Sequence, residues 1–257
     1  MPNSIIERLK SDPALASLKR SLEVYYGDPA RDAAMDALYA RLLRPGALAF
    51  DIGSHVGDRI GSFRRLGARV VALEPQPLCA RAIREIYAGD AAVHLVEAAC
   101  GPREGTLTLH VNTANPTVTT ASTAFVSAAD GAAGWEGQVW DRAIEVPVTT
   151  LDALVARHGV PDFMKIDVEG FEADVLAGLS RPLPALSFEF TTIQRDVAFQ
   201  CIDLIAALGT YAFDLSLGES QQLVFAAAPL DADAMKRHIA ALTHAANSGD
   251  VYAVRRG

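Results

Sequence analysis

The chain has 257 residues, half of them apolar, with 23 Lys and Arg against 31 Asp and Glu, a formal net charge of −8. That apolar content excludes intrinsic disorder. The acidic balance speaks against a nucleic-acid partner, whose phosphates are held by clustered Lys and Arg. Cys79, Cys100 and Cys201 form no CxxC pair and read as small buried hydrophobes, with neither a disulfide framework nor a zinc site. Residues 1–10 lack the apolar core of a signal peptide, and no stretch approaches the roughly 18 apolar residues of a membrane span. A cytoplasmic protein with no membrane partner is the expectation.

In chain order, residues 4–44 carry a helical amphipathic pattern that stops at Pro45-Gly46 and form a candidate N-terminal cap. Residues 47–52 are a short apolar run ending at glycine, as a buried parallel strand requires. A helix follows over 58–66, a strand over 69–74 and a helix over 75–88. Residues 93–96 and 106–111 supply two further strands. The run 112–143, rich in Thr, Ala, Ser and Gly, has no sustained period and reads as a mobile, lid-like insertion carrying acceptor specificity. Trp135 and Trp140 within it could close over a ligand or pack the loop onto the sheet.

Order returns with a strand at 144–148. Thr149-Thr-Leu-Asp152 resembles a capping box with Asp in place of Glu, opening a helix whose stripe is Leu151, Leu154, Val155 and His158. Residues 162–167 and 185–190 are strands flanking a helix at 171–179. A helix at 195–208 carries Val197, Cys201, Leu204, Ile205 and Leu208 in register. Extended segments at 211–215, 222–227 and 250–255 and a helix around 231–246 complete the chain. Repeated strand–helix units predict one α/β domain over 45–257, a doubly wound and mostly parallel sheet with helices on both faces.

Ligands of such sheets bind at the carboxyl ends of the strands. Asp51, Glu74, Glu97, Asp167 and Glu189 all fall at predicted strand ends. The first turn reads Asp51-Ile-Gly53-Ser-His-Val-Gly57. Its GxxxG spacing keeps the sharp turn but lacks the GxGxxG cradle for a diphosphate, which favours an adenosine ligand without phosphates. Glu74, 21 residues beyond Gly53, can accept both ribose hydroxyls.

Phe50-Asp-Ile-Gly-Ser-His-Val-Gly57, Val146-Pro-Val-Thr-Thr-Leu-Asp152 and Phe163-Met-Lys-Ile-Asp-Val-Glu-Gly-Phe-Glu172 resemble the FkbM family of S-adenosylmethionine-dependent methyltransferases. Leu186-Ser-Phe-Glu-Phe190 and Gly249-Asp-Val-Tyr252 match it too, so the resemblance spans roughly residues 45–254. It implies a Rossmann-like class I methyltransferase fold of seven strands, the last antiparallel. It also implies that Asp51, Gly53, Ser54 and Gly57 line the methionine end of the cofactor. Glu74 and Pro75 would hold its ribose, and Glu97 and Ala98 its adenine edge. His55 lies in the same turn, but the family commonly has Ala-Asn where this chain has Ser54-His55, so its contact is left open.

Methyl transfer needs positioning, an electrostatic setting compatible with a sulfonium and, for a hydroxyl acceptor, a base. Asp167, which also borders the cofactor, Glu169 and Glu189 are the catalytic candidates. Glu169 could instead cap the helix after Gly170, and Lys165 could balance Asp167. The six histidines show no ligand spacing. A metal between Asp167 and Glu189 is conceivable, but the expectation is a metal-free site. The expected partner is a small-molecule acceptor, a sugar or secondary-metabolite hydroxyl, with oligomeric state open, a homodimer included. A nicotinamide-dependent oxidoreductase and a non-catalytic nucleotide-binding module are the rival readings.

Overall fold

The computed structural model describes residues 2–256. The short apolar runs pair as buried strands: β1 (Leu48–Ile52) is buried at every position. It lies between β2 (Arg69–Leu73) and β7 (Phe163–Ile166), parallel to both. With β3 (Val93–Val96), β8 (Ala185–Thr191), β9 (Tyr211–Leu217) and β10 (Ser248–Arg255), they form one sheet of order β3-β2-β1-β7-β8-β10-β9. Strand β10 runs antiparallel to both neighbours and the remaining pairs are parallel. This is the seven-stranded class I arrangement the motifs imply. The strand order reverses between β1 and β7, and a crevice opens at that switch point, above their carboxyl ends.

The expected strands at 106–111 and 144–148 form, but not in this sheet. β5 (Gly105–Val111) and β6 (Arg142–Thr149) pair antiparallel, and β4 (Ala99–Cys100) joins β6. Ala99, Leu109 and Val146 give this small sheet its own apolar face. Three further expectations shift. The helix after β6, α7 (Leu151–His158), is capped by Thr150, whose hydroxyl accepts from Ala153 N at 3.1 Å, while Asp152 accepts from Ser180 N. Residues 222–227 form turns fastened to β9 rather than an extended strand. The last helix, α10 (Ala232–Ala241), ends before residue 246.

The helices α1 (Pro2–Lys10), α2 (Lys19–Tyr25) and α3 (Pro29–Tyr39) make the N-terminal cap. Leu9, Leu15, Leu18 and Leu22 pack on Val56, Cys79 and Ala82, so the cap shares a core with the first sheet loop and α5 (Pro77–Ile86). Met35 and Tyr39 of α3 join Ile60 and Phe63 of α4 (Asp58–Arg65). No helix among the described residues is long and apolar enough to cross a membrane.

The insertion 112–143 is more regular than its composition suggests. It holds a 3-10 turn at Pro116–Val118 and α6 (Thr123–Ala129), capped by Ser122. Phe125 packs edge-on against Trp135 with ring centroids 5.0 Å apart, and Trp140 Nε1 donates to the Val118 carbonyl at 2.8 Å. The two tryptophans therefore hold the insertion together, and neither lines the crevice. Large-to-small changes at such a core cost about 3–5 kcal/mol. Trp135→Ala is expected to destabilise the protein by that order in denaturant unfolding. A cost under about 1 kcal/mol would mean that the insertion is held elsewhere.

Candidate active site

Two strand-end loops meet at the switch point. Gly53, after β1, has φ +85, and a Cβ there would sit 1.8 Å from the Asp167 carbonyl oxygen after β7. Only a residue without a side chain allows this approach. Ser54 Oγ donates to the Asp51 carbonyl at 2.9 Å, and the amides of Gly53 and Ser54 donate to the Leu73 carbonyl. His55 takes a left-handed φ of 47, its amide donating to Glu74 Oε2 at 2.7 Å. Glu74 Oε1 accepts from Gln76 N at 2.8 Å. Glu74, directly after β2, thus ties the β1 loop to its own loop.

The resulting cleft is lined from the β1, β2 and β7 loops together with residues of the cap and the insertion. Its apolar part is lined by Leu73, Cys79, Ala98, Cys100, Leu109 and Phe171. Its acidic lining includes Asp51, 1% exposed with Oδ2 lacking a hydrogen-bond partner, and the buried Glu74. Burial pushes the Asp51 carboxyl up to about 7 and Glu74 up to about 8, the latter despite its two amide donors. His55 Nε2 is likewise buried without a partner, and burial holds its pKa down to about 4, so the ring is neutral. Its edge meets Tyr25 of α2 at 5.6 Å.

Also in the lining, Asp167, Glu169 and Glu189 bring one carboxylate oxygen each within 4.8 Å of one another, close enough to share a cation. One of the three already faces a cation of the fold. Lys165 on β7, 1% exposed, stands 3.0 Å from Asp167 Oδ2. Burial opposes the ammonium, but Asp167, Asp250 and Glu189 outweigh it and push its pKa well above the ordinary value. Burial would also raise Asp167, yet Lys165 holds it below the usual carboxylate range. Glu169 and Glu189 go the other way, raised by burial and by the negative Asp167. The cluster therefore combines one carboxylate whose pKa is held down with two whose pKa values are raised.

The predicted residues Asp51, Gly53, Ser54, His55, Glu74, Pro75, Ala98, Asp167, Glu169 and Glu189 all line this cleft. Two predicted residues do not. Glu97 is half exposed and pairs with Arg84 of α5, because the chain turns at the end of β3 and presents Ala98 instead. Gly57 caps α4, where a Cβ would strike Tyr87, so it serves packing. The helix after Gly170 is fastened by Glu172, which accepts from the amides of Val168 and Gly170, leaving Glu169 to the cleft. Sequence reasoning missed Tyr25 and Arg59, which lie on cap and helix faces whose polar residues carry no motif.

The residues fit S-adenosylmethionine and not a dinucleotide. An unpartnered buried carboxylate oxygen on Asp51 suits an ammonium, Glu74 suits ribose hydroxyls, and the apolar lining suits adenine. Asp58 occupies the first turn of α4, where a diphosphate would bind, and is ion-paired with Arg31 at 2.7 Å and Arg59 at 2.9 Å. The glycine spacing of that turn also lacks the diphosphate cradle.

Glu74→Gln is expected to weaken S-adenosylhomocysteine binding in calorimetry, since the amide keeps one acceptor oxygen where the carboxyl has two; unchanged affinity would remove Glu74 from the site. The same variant has a pH signature. Glu74 titrates near 8 folded against 4.5 ordinarily, so the folded state holds the extra proton. Its contribution to stability is complete below 4.5 and is lost as pH rises through 8. The ligand-free wild type should lose more stability over that window than Glu74→Gln, and parallel curves would contradict the assignment.

Several solved structures are similar to the chain at low identity. The chain is similar to an O-methyltransferase from Bacillus cereus in complex with SAH, with 13% identity over 98% of this chain and 91% of that chain and a TM-score of 0.49. It is also similar to a TehB-like SAM-dependent methyltransferase from Corynebacterium glutamicum, with 12% identity over 95% of this chain and 100% of that chain and a TM-score of 0.48. No curated protein matches the sequence. The family model of the methyltransferase FkbM domain matches residues 51–215, from the end of β1 into β9. The chain therefore belongs to the FkbM family of S-adenosylmethionine-dependent methyltransferases.

Proposed function

We propose that this methyltransferase modifies a hydroxyl on a sugar or natural-product intermediate. The observation that carries the reading is the cluster of Asp167, Glu169 and Glu189 in the lining of the cleft. Bound S-adenosylmethionine supplies an electrophilic methyl group on a sulfonium. The residues must supply position and a destination for the hydroxyl proton. Asp167, kept ionised by Lys165, accepts a hydrogen bond from the attacking hydroxyl and orients it. The proton then passes to the Asp167–Glu189 pair, which titrates as a unit. Glu169, where it holds a proton, donates to a neighbouring oxygen of a polyol. Acidic side chains outnumber Lys165 and Arg59 around the cleft, which favours a neutral acceptor over a phosphorylated or carboxylated one.

Acceptor shape falls to the insertion and the cap. Pro116, Thr117, Thr119 and Ala121 line the cleft, and Thr120 Oγ1 donates to the Glu169 carbonyl at 2.6 Å, so the insertion touches the catalytic loop directly. Ser21 of α2 lies 3.3 Å from Thr117, joining cap and insertion. These contacts support a role for residues 112–143 in selecting the acceptor.

The test is transfer of labelled methyl to a panel of glycosides. Wild type is expected to methylate a neutral member in preference to its uronic acid or phosphate counterpart. Asp167→Asn, which keeps the shape but removes the anion, should lower turnover roughly 10²–10⁴-fold while S-adenosylhomocysteine affinity changes little. Near-wild-type turnover by that variant would sink the assignment. Lys165 provides the cation in this reading, so EDTA should leave the rate unchanged. A loss restored by Mg²⁺ would replace it with metal-assisted transfer.

A further inference from the structure

Strand β10 closes the sheet from the far side of β8, and its residue Asp250 stands opposite Glu189 in register. Asp250 is buried and lies outside the cleft lining. Its Oδ1 is 2.7 Å from Lys165 Nζ, an ion pair whose angle leaves that oxygen without a hydrogen-bond donor. The same ammonium stands 3.0 Å from Asp167 Oδ2 and 3.4 Å from the Ile166 carbonyl. Lys165 is therefore a bridge between a carboxylate behind the cleft and one inside it. A lysine side chain has four rotatable bonds, and one anion would leave it free to swing about Asp167. A second anion on a strand paired on both sides removes that freedom.

We propose that Asp250 is a positioning residue for methyl transfer: it tethers Lys165 from behind, and the tethered ammonium fixes the Asp167 carboxylate against the acceptor. The inference rests on the reading of Asp167 given above. Two observations besides the distances support it. Asp250 is the one carboxylate contacting Lys165 that a bound acceptor cannot reach, so its hold does not depend on the substrate. The arrangement also holds Lys165 on Asp167, whereas without the tether Lys165 could turn toward Glu189, the other carboxylate that draws on its charge. A 1 Å misplacement in a reacting geometry can cost about 10²-fold in rate, so this freedom matters. Burial of the pair fits the role. A buried ion pair contributes little net stability and is better explained by the geometry it imposes.

The experiment uses the full-length protein, with rates normalised to S-adenosylhomocysteine-binding sites so that any unfolded fraction is divided out. Asp250→Asn should lower kcat roughly 10- to 100-fold on the best glycoside of the panel. The acceptor KM and the S-adenosylhomocysteine Kd should stay within about twofold. In an Asp167→Asn background the same change should add nothing, because the tether acts through Asp167. A wild-type kcat, or an equal loss in both backgrounds, would overturn the proposal. Should Asp250→Asn fail to fold, Lys165→Gln cuts the same tether without leaving an unpaired ammonium, and it is held to the same outcomes. The carboxyl resonance of Asp167, followed in carbon-13 aspartate-labelled protein and assigned by Asp167→Asn, gives a readout independent of any acceptor. It should move in Asp250→Asn and Lys165→Gln alike, and an unmoved resonance would overturn the tether. If no glycoside is methylated, the acceptor class fails and this resonance alone decides the tether.

Discussion

A single buried ammonium, Lys165, makes the acidic edge of this sheet tenable. Carboxylates are electrostatically compatible with a sulfonium cofactor, and the strand ends provide them. Carboxylates removed from water and crowded together would take up protons or separate. Lys165 sits on the central strand β7, its ammonium between Asp167 and Asp250. It keeps Asp167 ionised while Glu169 and Glu189 stay raised. One cation thus sets Asp167 apart from its two like neighbours. The geometry of β7, buried and flanked on both sides, makes that division a property of the fold and not of the bound ligand.

The cofactor half of the cleft obeys the same economy of contacts. Glu74 receives amides from His55 and Gln76, and Gly53 lets the β1 loop lie against the β7 loop. Asp58, pinned by Arg31 and Arg59, also anchors the cap through α3. Cap, first loop and cofactor end are therefore mechanically one unit, which explains why the cap shares a hydrophobic cluster with α5.

The sheet was legible because each central strand is a short apolar run with a glycine or acidic residue at its end. Asp51, Glu74, Asp167 and Glu189 could be placed at one edge from that punctuation alone. Glu97 obeyed the same rule and misled, because β3 is an edge strand and its last side chain is free to turn outward to Arg84. Gly57 misled because a left-handed helix cap and a cofactor contact make the same demand on sequence. Strands β5 and β6 were found but their sheet was not, since alternation reports a strand and says nothing about its partner. The roles of Tyr25, Arg59 and Asp250 depend on contacts between segments far apart in the chain, and a periodic pattern carries no trace of them.

The account turns on how one ligand lies along this cleft, and a crystal structure of the complex with S-adenosylhomocysteine measures that directly. The account predicts adenine against Leu73, Ala98 and Phe171, ribose hydroxyls on Glu74 and the ammonium at Asp51. The thioether sulfur should face Asp167. A nucleoside seated away from Glu74, or a sulfur remote from the Asp167–Glu189 pair, would contradict it.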